Sequence, residues 1–178
     1  MVYIIIMDET QIAIVDASFW IHLIKTDLLH IFQEYYNRII VPLKVEEEIT
    51  FSESFKFMVY IPEDIKHYNK LKQEGIIIVQ NPKTITKQLS SQVSKDSGEL
   101  YCIALSQEIG LIVFIDNGRP YNYCKENNIL VANIIEFLLF LYIEKRLNKK
   151  EVYSKINVIK SSISNSYLKG IEKYLQGV

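Results

Sequence analysis

Leu111-Ile112-Val113-Phe114-Ile115-Asp116-Asn117 is the stretch on which the fold turns. Apolar residues follow one another without polar alternation, the pattern of a strand covered on both faces, as in a parallel sheet between helices. An acid and an amide end the run. The same arrangement occurs near the start of the chain, where Ile12-Ala13-Ile14-Val15 ends on Asp16-Ala17-Ser18. In open parallel sheets ligands bind beyond the carboxyl ends of the strands, where the strand order reverses. Asp16 and Asp116 stand at two such ends, and acids on neighbouring parallel strands converge on one point.

Outward from these two strands, the chain reads as an alternation. A strand over 11–15 is followed by a helix from Ser18 to about Tyr35, then a strand over Arg38–Val41. Pro42 stops that strand and seats a helix running to about Ser52. Pro62 opens a helix over 62–74, closed by Gly75, and Ile76–Val79 is a strand ended by Asn81-Pro82. Residues 83–95 are rich in Ser, Gln and Lys and read as a loop or a frayed helix. A helix over 97–109 stops at Gly110; a short helix over 120–127, a short strand over 129–131 and a helix over 133–147 follow strand 111–115. The tail from Glu151 to Gln176 reads as two helices split near 161–165. Strands alternating with helices predict an α/β fold with a central, mainly parallel sheet. No repeat or domain-scale linker interrupts it, so one domain is expected over 1–178, with a core of about 11–147 and a helical tail over 148–178.

Composition narrows the function less than the fold. A hydrophobic content of 49% builds a core without disulfide or metal staples. A net charge of −1 gives no general affinity for polyanions. Between Glu144 and Val178, however, eight Lys/Arg stand against three Glu. That basic surface reads first as a solvated helix face and second as a face for nucleic acid. Cys102 and Cys124, the only cysteines, lie in apolar helical patterns and read as small buried hydrophobes. The apolar start, Met1 to Ile6, meets Asp8-Glu9 too early for a signal peptide. The greasiest stretch, Ile134–Ile143, contains Glu136 and is about half a membrane span. No membrane role and a cytoplasmic location are therefore expected.

Two further acids complete a candidate site. Glu48 lies three residues after Val45, so the two share a helix face, and Glu48 reaches the rim of the core if Val45 faces inward. Its neighbours Glu46 and Glu47 are expected to face solvent. Asp96-Ser97-Gly98-Glu99 precedes an apolar helix. Asp96 fits a helix cap and Glu99 a ligand, because Gly98 weakens a first helical turn and makes sense where backbone passes close to a site. Asp16 with Ser18, and Asp116 with Asn117, fit capping and turn chemistry as well as a site. Converging carboxylates repel and call for cations; an all-oxygen set suits Mg²⁺ or Mn²⁺. The histidines His22, His30 and His67 show no ligand spacing and read as surface or core-edge residues. There is no P-loop, no GxGxxG and no GxSxG elbow, and Asp16-Ala17-Ser18 is not the D-x-D of aspartate-based phosphatases. A signalling receiver domain lacks the strand-end Lys it would need beside the acids.

In their order these segments resemble a PIN-domain nuclease. Ile14-Val15-Asp16-Ala17-Ser18, with Leu23-Ile24-Lys25 and Leu28-Leu29, resembles the family's first strand and helix. Ile40-Val41-Pro42-x-x-Val45-x-x-Glu48-Ile49 resembles its second acidic motif, and Asp96-x-Gly98-Glu99-x-x-x-Ile103-Ala104-Leu105 the D-x-G-E form of its third. Ile115-Asp116 resembles the fourth, and Ile163-Ser164-Asn165-x-x-Leu168 the final helix of one subgroup. The match runs in register over about residues 11 to 176.

The resemblance implies a divalent-metal-dependent endoribonuclease. Asp16, Glu48, Glu99 and Asp116 carry over as catalytic metal-site acids for one or two ions, with Ser18 and Asn117 in support. Lys25, Lys95 and Arg119 are candidates for contact with the RNA backbone. Many small bacterial members are toxins paired with an antitoxin, so an antitoxin partner is an expectation beside the RNA substrate. A homodimer through Ile134–Ile143 and the first long helix stands against burial of those segments in the core. The chain departs from the family pattern at Asn117, where a second acid is common, at Tyr121, where a basic residue is common, and at Asn133, where Thr or Ser is common. The competing reading is a catalytically weakened PIN-like module that binds RNA or a partner without cutting.

Overall fold

In a computed structural model the chain is described over residues 11–50 and 62–163 and at Leu168, Ile171, Tyr174 and Leu175; for 62–64 only the backbone is described. Five short strands, β1 (Ile12–Val15), β2 (Arg38–Val41), β3 (Ile77–Val79), β4 (Val113–Phe114) and β5 (Val131–Ala132), form one sheet. Their order is β3-β2-β1-β4-β5, and every pairing is parallel. Around the sheet run α1 (Ala17–Lys25), α2 (Leu29–Tyr35), α3 (Leu43–Thr50), α4 (Pro62–Gln73), α5 (Lys87–Gln92), α6 (Gly98–Ile109), α7 (Gly118–Glu126), α8 (Ile134–Ile143) and α9 (Lys149–Ile159). This is the expected α/β architecture.

The topology places the site. From β1 the chain builds outward on one side through β2 and β3, then returns to add β4 and β5 on the other. The order reverses between β1 and β4, whose register pairs Val15 with Phe114. Asp16 follows Val15 at once and Asp116 lies two residues past Phe114, so both acids leave the sheet at its switch point. Phe114 is fully buried and anchors the packing on this part of the sheet. Its ring centroid lies 4.6 Å from Phe19 of α1, 5.0 Å from Phe32 of α2 and 6.4 Å from Phe137 of α8. Such tilted and edge-on pairs add to the area term of burial. The apolar face of α8 is spent here: Ile134, Ile135, Phe137, Leu138, Phe140 and Leu141 are all buried within the chain. Among the described residues no helix is long and apolar enough to cross a membrane.

Several boundaries differ from the sequence reading, each for a local reason. The helix expected from Ser18 to Tyr35 is two helices. Asp27 sits at φ 51, and the Thr26 hydroxyl donates to the His22 carbonyl at 2.6 Å, which closes α1 before α2 begins. Asp tolerates that left-handed backbone better than most residues. The strand expected over 111–115 pairs as a ladder only at Val113–Phe114. Hydrogen bonds from Ile14 N to Ile112 O and from Ile115 N to Ala132 O nonetheless extend the pairing on either side. Within the polar 83–95 stretch, α5 forms because Leu89 and Val93 are buried and the Thr86 side chain caps it. α8 stops at Ile143 rather than Leu147, with Lys145 at φ 57. The tail begins as α9 with an Asn148–Glu151 capping box and continues in a 3₁₀ turn, Lys160–Ser162. Most of the second tail helix, the apolar N-terminus and residues 51–52 lie outside the described residues.

Candidate metal-binding cleft

Four acids from four separate segments line one cleft of about 260 Å³. Asp16 caps α1, with its Oδ2 accepting the Ser18 backbone N–H at 3.2 Å and the Ser18 hydroxyl as well. Glu48 comes from α3, turned inward as its spacing from the fully buried Val45 required. Its Oε1 accepts the Gly98 N–H at 2.9 Å. Glu99 stands in the first turn of α6, and its Oε1 accepts from Asn117 Nδ2 at 3.2 Å. Asp116 completes the set. The caps of α1, α6 and α7 are Asp16, Ser97 and Asn117, and α8 starts against Asp116, so four helix N-termini abut the acids and offset part of their charge.

Gly98 is required by close approach. A Cβ there would stand 2.5 Å from Glu48 Oε2 and 2.8 Å from Val45 Cγ2. The hydrogen bond that the Gly98 N–H donates to Glu48 therefore depends on the missing side chain.

The acids crowd at an energetic cost. Burial pushes the Asp16 carboxyl well above its ordinary value; Glu99 and Glu48 push it further, against the opposing bond from Ser18. Burial also raises Glu48, with the Gly98 amide opposing and Glu99 adding to the rise. Beneath them Cys102 is fully buried, with its Sγ 3.7 Å from the Val15 carbonyl, and burial and the acids hold its thiol protonated.

Asp116 is held differently. Its Oδ1 accepts the Ile134 N–H at the start of α8 at 2.7 Å, and its Oδ2 lies 2.5 Å from His22 Nδ1. His22 is 3% exposed, and its Nε2 lies 2.7 Å from Ser162 Oγ, whose hydroxyl also reaches the Ile159 carbonyl at 2.8 Å. The sequence reading assigned His22 to the surface or the core edge; instead it joins Asp116 to the 3₁₀ turn after α9. A signal for it existed, since His22 lies four residues after Ser18 on the site-facing side of α1. For Ser162 there was none.

Two other expectations are corrected. Asp96 is not the cap of α6. Ser97 caps it by accepting the Leu100 N–H, while Asp96 sits at φ 57 and faces Lys44 Nζ at 3.4 Å and Tyr101 OH at 3.4 Å. Glu46 is not a free surface acid, because Lys72 Nζ bonds it at 2.6 Å and the buried Tyr68 hydroxyl reaches it at 3.4 Å. The candidate RNA-contact cations are not among the residues lining the acid cleft, and their contact with RNA stays an expectation. Lys25, Lys95 and Arg119 are exposed, and Lys25 lies at the far end of α1, about 12 Å along its axis from the Asp16 end. Lys95 and Arg119 each lie within three residues of a helix start that faces the acids. Lys44, one helical turn before Glu48, is close enough to act on the Glu48 carboxyl and pull against its rise.

Residues 12–169 match the model of a family described as a PIN domain. The chain belongs to the PIN-domain family. No curated protein matches it in sequence comparison. PIN domains are generally nucleases, and PIN nucleases typically use divalent metals. Among the described residues no three His, Cys, Asp or Glu side chains are grouped to hold a metal ion as they stand. The donor set of this PIN domain nevertheless fits a hard divalent cation. It is all carboxylate, it is crowded, and one oxygen each of Asp16, Glu48 and Glu99 accepts no hydrogen bond from the described residues. Asp116 has both oxygens engaged, although each carboxylate oxygen keeps a second lone pair.

Proposed function

We propose that this PIN domain is a divalent-metal-dependent endoribonuclease, with Asp16, Glu48, Glu99 and Asp116 as the acids that hold one or two Mg²⁺ or Mn²⁺ ions. The observation that carries this reading is the meeting of four acids from distant segments in one cleft at the switch point of the sheet. When bound, such ions supply a nucleophilic hydroxide from water and offset negative charge on the phosphorane and the leaving oxygen. The chain's own part is to hold and orient. Ser18 fixes the rotamer of Asp16, the Gly98 amide that of Glu48, and Asn117 that of Glu99. His22 and the start of α8 fix Asp116. By family resemblance we extend the proposal to a cytoplasmic toxin with an antitoxin partner.

A second reading has support of its own. Asn117 stands where a further acid is common, and both Asp116 oxygens are already bonded. A PIN-like module that binds RNA or a partner protein without cutting accommodates both facts. Incubation of a mixed RNA pool with Mn²⁺, Mg²⁺ or EDTA separates the two, with wild type run beside Asp16→Asn. Metal-dependent cutting that disappears in the variant supports the nuclease. A folded wild type that cuts under neither metal moves the assignment to the binding module.

A further inference from the structure

A second cleft of about 310 Å³ opens beside the acids, and His22, Asp116, Asn117 and Ser162 form the wall between the two. Beyond that wall its lining holds no acid: it is made of Gly118, Asn133, Ile134, Ile135 and Ile163. Asn133 is 5% exposed. Its Oδ1 accepts the Glu136 N–H at 2.9 Å, which leaves the Nδ2 group with no acceptor among the described residues. Buried side-chain donors nearly always have a partner, so an orphaned NH₂ on a cleft wall points to something that enters the cleft. Around it, the first-turn amides of Gly118 in α7 and Ile135 in α8 also meet no acceptor among the described residues. These three unpartnered groups are all donors, two helix dipoles add positive potential, and three isoleucines supply an apolar floor.

We infer that this second cleft is the subsite for the nucleotide next to the scissile one, with Asn133 Nδ2 and the starts of α7 and α8 binding its phosphate oxygens. The inference rests on the nuclease reading above. An RNA strand whose reacting phosphate lies at the acids must leave the cleft along one wall, and this wall is shared with a pocket of fixed donors. Neutral donors suit the place, because a Lys or Arg there would pair with Asp116 instead of with the substrate.

The test uses fluorescein-labelled RNA hexamers, each with one internucleotide phosphate replaced by a neutral methylphosphonate. Binding to the full chain is read by anisotropy with Ca²⁺, and the integrity of the RNA is checked by gel. One methylphosphonate position adjacent to the cut should weaken binding to wild type about tenfold, the effect of losing hydrogen bonds to a charged group. In Asn133→Ser overall affinity should fall, and the penalty at that one position should shrink to about twofold or less. Ser retains the N-cap of α8, so the helix stays intact, and thermal melting verifies this. Asn133→Asp, which also caps, should weaken binding further by repulsion. An unchanged position profile in both folded variants overturns the subsite while leaving the nuclease reading in place, and assigns Asn133 Nδ2 to ordered water. Failure of folded wild type to bind or cut any RNA overturns both.

Discussion

The two halves of the acid cleft are built on opposite principles. On one side Asp16, Glu48 and Glu99 crowd together, each held by one oxygen with the other free of hydrogen bonds from the described residues. Burial and mutual repulsion keep Asp16 and Glu48 above their ordinary carboxylate range. On the other side Asp116 is held at both oxygens, by His22 and by the start of α8. The first half is unsatisfied charge that a cation would relieve; the second is satisfied charge that keeps its geometry unaided. The difference separates loading from positioning. The strained half should decide whether metal binds, and the satisfied half where the substrate phosphate sits against it.

The hardest blow to that contrast is Asp16→Asn. Asn caps a helix as well as Asp does, so α1 should hold. RNA cleavage should fall by more than the roughly 10–100-fold typical of losing an outer-shell partner. In EDTA the variant should melt no lower than wild type, because one repelling charge is gone. Added Mn²⁺ should raise the wild-type melting temperature by mass action and leave the variant's almost unmoved. A variant that still cuts RNA removes Asp16 from the site.

Acidity sharpens the same half. A carboxyl whose folded-state pKa lies above its unfolded value binds protons more tightly in the native protein. Metal-free stability should therefore fall as pH rises from about 4 through the raised values of Asp16 and Glu48. Asp16→Asn should flatten that slope. The melting temperature of the variant relative to wild type, in EDTA, should accordingly grow as pH rises from about 4 through the raised value of Asp16. A difference that is constant with pH would mean that Asp16 is not strained.

Gly98→Ala tests how the strained half is assembled. The added Cβ meets both Glu48 and Val45 at well below contact distance. The Glu48 carboxylate can swing away, but Val45 is fully buried and cannot. Overpacking of this kind costs about 1–3 kcal/mol, offset in part by the better helix propensity of Ala. Expected together are a lower melting temperature and a weaker Mn²⁺ response, measured by calorimetry and metal titration. A stable Gly98→Ala with full metal response would mean that the Gly98–Glu48 contact is incidental.

How the two halves were encoded explains what could be read in advance. Asp16 and Asp116 were legible because apolar runs without alternation mark covered strands and end on them. Glu48 was legible from its spacing to Val45, and Gly98 from its poor fit to a first helical turn. These are local signals, and the parallel sheet converts them into a common site. The pairing of His22 with Asp116 spans 94 positions and that with Ser162 spans 140, so no local pattern could announce them. The confusion of Asp96 with Ser97 has another origin. Both residue types cap helices, and only the left-handed backbone at Asp96 decides between them. The break after α1 was missed because the apolar spacing continues through Asp27 while the backbone does not.

His22 gives the finest cut, since its two nitrogens can be replaced one at a time. His22→Ala strands the Asp116 carboxylate and the Ser162 hydroxyl, and should cost about 1.5–3 kcal/mol for the charge-assisted bond alone. Cleavage should drop about 10–100-fold, as for other residues that orient a metal-site acid. Asn places its amide near the Nδ1 position of histidine, and Gln places its amide near Nε2. If His22 matters by positioning Asp116, His22→Asn should recover most of the cleavage lost in His22→Ala, and His22→Gln little of it. If it matters by tying down the turn after α9, the order should reverse, and the recovery should follow melting temperature instead of turnover. Equal recovery by both, or by neither at unchanged stability, would remove the distinction between a loading half and a positioning half, because Asp116 would then need no support that the other three acids lack.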